Sequence, residues 1–138
     1  MRAKEIVGPI EGGCQCGAVR YRLDGKLYTL AVCHCTMCQR QSGSAFGMSL
    51  AVSRGAFQLL SGALKSFSVT CDSGRTKECA FCPECGVRIY NRTEGRMSIK
   101  AGTLDDTSWL EPDAHFWTRS KQAWTPIPEG APSFADDN

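Results

Sequence analysis

The chain has 138 residues, with 16 Lys and Arg against 14 Asp and Glu, and it carries 9 cysteines. That length suits one compact domain, and no Gly/Ser linker, charge block or internal repeat divides it, so a single domain is expected over residues 1–138 with its core over about 12–132. The scattered, nearly balanced charge excludes the basic stripe of a general nucleic-acid binder, and no stretch approaches the roughly 20 apolar residues of a membrane helix, so neither nucleic acid nor membrane is expected as a partner.

Only 26 residues are Leu, Ile, Val or Phe, a thin stock for a core of this length, and the nine cysteines are the obvious second source of stability. The N-terminal MRAKEIVGPIEGG lacks the apolar run of a signal peptide, and an odd cysteine count suits no complete disulfide framework. Pairs one residue apart, Cys14/Cys16 and Cys33/Cys35, are also awkward to bridge to each other. The thiols are therefore read as reduced and the chain as cytoplasmic.

In chain order, AVRYRL (18–23), FGMSLAV (46–52), FQLL (57–60), LKSFSVT (64–70), VRIY (87–90) and MSIKAG (97–102) alternate apolar and polar residues, as half-buried strands do. Turn pairs at Asp24-Gly25, Arg54-Gly55, Ser61-Gly62, Ser73-Gly74 and Glu94-Gly95 separate them at hairpin spacing. The fold class is thus mainly β and antiparallel. TMCQRQS (36–42) is able to form a helical turn and LDDTSWL (104–110) a second, while the Pro-, Gly- and Asp-rich tail beyond Trp124 carries no regular pattern.

The strongest local signal is FCPECG (81–86), where Cys82 and Cys85 bracket two residues and a glycine follows at once. This is the zinc-knuckle pattern, in which the turn aims two sulfurs at one metal and the glycine takes the positive φ the turn needs. The rival use of CxxC, a redox dithiol, belongs at a helix start in a βαβ pattern that is missing here. GGCQCG (12–17) repeats the signature with Cys14, Cys16 and Gly17. A tetrahedral thiolate site wants two such pairs, so Cys14, Cys16, Cys82 and Cys85 close a staple between distant parts of the chain. Sites of this kind bind with about 10–16 kcal/mol, as much as the whole stability of a small domain.

CHCTMC (33–38) supplies Cys33, Cys35 and Cys38 and no fourth ligand. Three protein ligands with an exchangeable fourth position is the arrangement of a catalytic zinc. The alternatives are that His34, Cys71 or Cys79 completes the shell, or that the triplet is half of a larger thiolate cluster. His34, between two ligands, is better placed to turn away or to act behind them. Cys71 and Cys79 flank CDSGRTKEC as two arms of a hairpin and read as small apolar residues, and His115 reads as a core or a pocket histidine. Seven thiolates around two divalent ions would leave the chain slightly acidic, so the formal +2 is no guide to partners.

Taken together, GGCQCGAVRY, CHCTMCQRQSGSAFG, FCPECGVRIY, AGTLDD and HFWTRSKQAW, from about Gly12 to about Pro132, resemble the glutathione-dependent formaldehyde-activating enzyme family, which includes centromere protein V-like proteins. The resemblance implies folded-over antiparallel sheets of the β-tent kind and two Zn2+ per chain. One is structural, on Cys14, Cys16, Cys82 and Cys85, and one catalytic, on Cys33, Cys35 and Cys38. It further implies a carbon–sulfur lyase, like S-(hydroxymethyl)glutathione synthase, whose partners are a small thiol such as glutathione and a small aldehyde such as formaldehyde. Arg40, Arg75, Lys100 and Arg119 are then candidates to meet glutathione carboxylates. The rival expectation is a zinc-stapled protein-binding module without activity, which keeps the first and third cysteine motifs but needs no open metal.

Overall fold

The computed structural model describes residues 4–5, 9–71 and 74–136. Among these, two sheets carry the fold. The larger one runs β1 (Lys4–Glu5), β4 (Lys26–Cys33), β5 (Gly47–Val52), β10 (Arg96–Lys100), β9 (Arg88–Thr93), β8 (Thr76–Phe81) and β7 (Lys65–Thr70), all antiparallel along that path. A short β11 (Ala114–Phe116) joins it in parallel on the last residues of β4. The smaller sheet is β2 (Ile10–Gly13), β3 (Arg20–Leu23) and β6 (Phe57–Ser61). One short helix, α1 (Thr36–Ser42), follows β4. The mainly β, antiparallel expectation is met, with the β11 pairing making the large sheet mixed.

Because side chains alternate across a strand, register decides which residues meet on which face. Leu50, Ile99, Tyr90 and Ala80 are successive partners from β5 to β8, and all four are buried. Their face looks onto the small sheet, where Val19, Tyr21 and Leu23 are wholly buried. Phe57 bridges the two layers: its ring stacks on Tyr21 and meets Tyr90 edge-on, both at 5.2 Å between centroids. One residue along, Ser98, Asn91, Cys79 and Phe67 form the matching row on the opposite face. That outer face is the one that receives α1.

The strands expected at β3, β5, β6, β7, β9 and β10 are present, as is α1 over the whole of TMCQRQS. Two expectations need correction. MSIKAG leaves the sheet after Lys100, and Ala101–Thr103 turn as a 3-10 helix. LDDTSWL forms no helix, because its residues are spent tying the sheets together. Leu104 bridges to Gly12, the Asp105 N–H donates to the Glu11 carbonyl at 3.0 Å, and the Asp105 carboxylate takes both Nη atoms of Arg20. Asp106 then accepts from the N–H and hydroxyl of Ser108, closing a local turn that competes with a helix. Strands β1, β2, β4 and β11 were not foreseen, and β8 was foreseen only as one arm of a hairpin. The Ser73-Gly74 turn falls partly outside the described residues, with Gly74 at φ 86°.

Gly12 shows how closely the layers approach. A Cβ there would lie 2.5 Å from the Thr103 carbonyl and 2.6 Å from Cζ of Tyr21, whose hydroxyl is hydrogen-bonded to Thr103 Oγ1 at 2.6 Å. Neither the backbone nor a fully buried ring yields cheaply. Gly12→Ala is expected to destabilise the fold by about 1–3 kcal/mol. Gly102→Ala, where a Cβ meets nothing within 4 Å, should stay within about 0.5 kcal/mol. Urea unfolding of the two variants side by side checks this.

Candidate metal centres

The first cysteine pair sits in the turn from β2 to β3 and the third motif in the turn from β8 to β9, so each sheet contributes one knuckle. The two are built alike. In the first, the Cys14 N–H donates to the Val19 carbonyl at 3.1 Å, and the Val19 N–H returns to Cys14 Sγ at 3.2 Å. In the second, the Cys82 N–H donates to Val87 at 3.0 Å and the Gly86 N–H to Cys82 at 2.8 Å. Gly17 and Gly86 close the turns at φ 85° and 79°, in the left-handed region that glycine enters without strain.

The four sulfurs converge. Cys14 and Cys16 are 3.5 Å apart, Cys16 and Cys82 3.8 Å, and all four Sγ atoms lie within 4.8 Å of one another, the span of a single tetrahedral thiolate site. Although burial opposes it, the Val19 N–H and the neighbouring thiols pull Cys14 down to about 6. The Ala18 N–H favours ionised Cys16, but the Cys14 sulfur, burial and the Cys85 and Cys82 sulfurs together outweigh it and Cys16 rises to about 12. Four thiols so close cannot all ionise by themselves, and a divalent cation is what this donor set fits.

The second set is local. Cys33 ends β4, Cys35 caps the N-terminus of α1, and Cys38 lies in its first turn. Their Sγ atoms also fall within 4.8 Å of one another, and among the described residues no other Cys, His, Asp or Glu joins either group. Cys38 owes its place to Gly47, the partner of Cys33 on β5. A Cβ at Gly47 would stand 3.2 Å from Cys38 Cβ and 3.5 Å from its sulfur. The Cys38 N–H donates to Cys35 Sγ at 3.3 Å, and Gln41 Nε2 donates to Cys38 Sγ at 3.3 Å. Cys35 is held strongly toward the thiolate by hydrogen bonds from the Cys33 and then the Cys38 thiols, while Cys33 is pushed up by the same Cys35 and Cys38 contacts. Ionising one of these sulfurs disfavours ionising its neighbours, and a cation would let all three act as thiolates. These residues too fit a soft divalent metal such as zinc.

His34 does not join the triplet. It is fully buried, its Nε2 hydrogen-bonds to His115 Nδ1 at 3.1 Å, and the two rings stack. Burial lowers the pKa values of both rings, and at His34 the electrostatic influence of His115 and Lys121 acts in the same direction. His115 is thus a core histidine. The pair pins β11 behind the triplet, and the His34 N–H donates to the Phe116 carbonyl at 2.9 Å. Gln39, on α1, completes the clasp: its Nε2 donates to the carbonyls of His34 at 2.9 Å and Ser120 at 3.0 Å, and its Oε1 accepts from Gln122 Nε2 at 3.1 Å. The sequence did not reveal either role, because Gln39 meets Ser120 and Gln122 from far along the chain and Gly47 acts through the β4–β5 register.

A hollow of about 320 Å³ opens beside Cys38, between α1 and the outer face of β7–β9, with Met37, Arg40, Phe67, Lys77, Cys79 and Arg88 in its wall. A shallower one of about 630 Å³ lies on the other side of α1, against Gln39, Arg40, Gln122 and Trp124. Of the basic residues singled out in the sequence, Arg40 reaches both hollows. Lys100 sits near Cys38 in the outer face, its pKa lowered by burial against the pull of the Cys38 charge. Arg119 is engaged with Asp136 at 2.7 Å, and Arg75 lies in the exposed β7–β8 connection, away from both hollows. Cys71 and Cys79 flank the β7–β8 hairpin as expected, with Cys79 buried in β8.

The fold is similar to that of a Rhodobacter sphaeroides protein known from a crystal structure, with a TM-score of 0.57 at 18% identity over 72% of this chain and 91% of that one. Residues 9–120, which include all three cysteine motifs, match the family described as glutathione-dependent formaldehyde-activating enzyme. The chain belongs to that family.

Proposed function

We propose that the chain, as one domain, is a zinc enzyme of the carbon–sulfur lyase type, acting on the adduct of a small thiol, glutathione foremost, with formaldehyde or another small aldehyde. The observation that carries this reading is the asymmetry between the two sulfur sets. Four sulfurs from two sheets make a complete tetrahedral shell, whereas Cys33, Cys35 and Cys38 make three-quarters of one beside a hollow large enough for a small ligand. On this reading Cys14, Cys16, Cys82 and Cys85 hold a structural zinc, and Cys33, Cys35 and Cys38 a catalytic one. Zinc on the triplet would supply Lewis acidity, able to lower the pKa of a thiol or to polarise an aldehyde oxygen. The chain's own part is positional. The Cys38 N–H and the Gln41 amide restrain two of the sulfurs, Gly47 admits Cys38 close to the sheet, and the Gln39 and His34–His115 contacts fix the segment that bears all three.

Three outcomes are expected. Reduced protein prepared without chelator should carry about two zinc ions per chain by elemental analysis; about one would reduce the triplet to an unmetallated cluster. Cobalt-substituted protein should change its visible spectrum on addition of glutathione or a simple thiol. An unchanged spectrum at saturating thiol would favour the binding module over the enzyme. Finally, Cys82→Ser should unfold the domain or make it insoluble, because it opens a long-range staple. Cys35→Ser should instead leave a folded protein that has lost one zinc, with activity on glutathione plus formaldehyde down by more than about a hundredfold. Circular dichroism, zinc content and product formation read these apart, and equal unfolding by both substitutions would make the triplet structural.

A further inference from the structure

The hollow beside Cys38 has a chemistry of its own. Its floor is the outer row of the large sheet, where Phe67, Cys79 and Asn91 are cross-strand partners and Val69 faces Lys77 one step along. Its roof is the Met37–Gln41 turn of α1, which also carries Cys38. None of the lining residues is acidic, while Arg40, Lys77 and Arg88 all line it. The nearby carboxylate of Glu78 belongs to the other face of β8 and is taken by Arg92 at 2.8 Å.

Arg88 is held ready. Its guanidinium lies over the Phe67 ring, 5.0 Å from the centroid, and its Nη2 donates to Asn91 Oδ1 at 2.7 Å. Its Nε is buried and finds no acceptor among the described residues. A buried donor without a partner beside two further cations, over an aromatic and aliphatic floor, is incomplete until an anion arrives.

We propose that this hollow is a binding site for a small organic carboxylate, the carboxylate paired with Lys77 and Arg88 and its apolar body on Phe67 and Val69, placed so that the rest of the ligand reaches the cysteine triplet. The proposal rests on the functional reading above and sharpens it: the molecule worked on at Cys33, Cys35 and Cys38 carries a carboxylate, and an uncharged thiol or aldehyde adduct is a poor substrate. The carboxylate has two possible sources, glutathione itself or a smaller, more apolar acid.

The test uses the zinc-replete full chain and phenylacetate, which has neither thiol nor aldehyde, so its binding does not depend on any activity. Titration calorimetry and amide chemical shifts should show it binding at millimolar affinity or better, with shifts centred on Phe67, Val69, Cys79 and Asn91. The uncharged phenylacetamide should bind about tenfold more weakly or worse. Lys77→Glu, on a half-buried site at a strand surface, should lose about the same factor at an unchanged melting temperature, and Arg88→Gln serves as the second variant should the first fold poorly. Equal affinity for acid and amide in the wild-type chain, no binding up to about 10 mM, or unchanged affinity in both variants would overturn the site. Displacement of phenylacetate by glutathione would identify the tripeptide as the source of the carboxylate. Binding of phenylacetate undisturbed by glutathione would identify a smaller acid. Failure here with a positive cobalt–thiol response would remove the carboxylate site and leave the zinc enzyme standing.

Discussion

The convergence of two knuckles, one from each sheet, is the constraint on which the rest of the architecture depends. The small sheet offers only three strands and the large sheet turns a single face toward it, so the apolar area between them is limited, with Tyr21, Phe57 and Tyr90 as its main contacts. The Cys14–Cys16 and Cys82–Cys85 turns stand at matching ends of β2–β3 and β8–β9 and fix the separation of the layers at one point. Leu104, Asp105 and Thr103 fix it again, through the Gly12 bridge, the Arg20 pair and the Tyr21 hydroxyl. With the layers clamped at those points, the aromatic contacts need only fill the space between. On the proposed reading the clamp is a metal–thiolate bond set, which does not weaken as apolar area shrinks.

The same sheet serves two purposes because its two faces are chemically independent. The inner row Leu50, Ile99, Tyr90 and Ala80 is apolar and buried, as a core demands. The outer row, offset by one residue, carries Ser98, Asn91, Cys79 and Phe67, with Lys77 and Lys100 nearby, and is free to vary without disturbing the core. Strand alternation thus lets a hollow be built on the back of the hydrophobic core. The triplet is set on that outer face as well, since Cys33 pairs with Gly47 and Gly47 makes room for Cys38.

What was legible in the sequence follows the same division between local and distant causes. Glycine placement after Cys16 and Cys85 marked the knuckles, because a positive φ is a local demand, and those four sulfurs do meet. The triplet was legible because its ligands lie within six residues of each other. Strand β4 was hidden by an irregularity between Leu27 and Leu30 that breaks its alternation, and β8 was legible only as a hairpin arm ending at Cys79. Strand β11 is three residues long and exists only by pairing with β4, so no local pattern announces it. Lys77 and Arg88 were not singled out in the sequence for the same reason: only cross-strand register reveals that they share a hollow.

The two sulfur sets also differ in what their contacts can tolerate. The four-sulfur set draws on turns separated by 66 residues between Cys16 and Cys82, and whatever binds there closes a long loop and is bound up with folding. The triplet spans one strand end and one helical turn, so its ligation barely changes the freedom of the unfolded chain. Its geometry must instead be imposed from outside, by Gln39 reaching His34 and Ser120, by His115 behind His34, and by Gln41 on Cys38. A site held by hydrogen bonds from its surroundings, and not by the fold's own closure, is free to exchange a ligand without loosening the sheets. On the proposed reading, that separation would let one small chain use cysteine both as a fastening and as a place for chemistry.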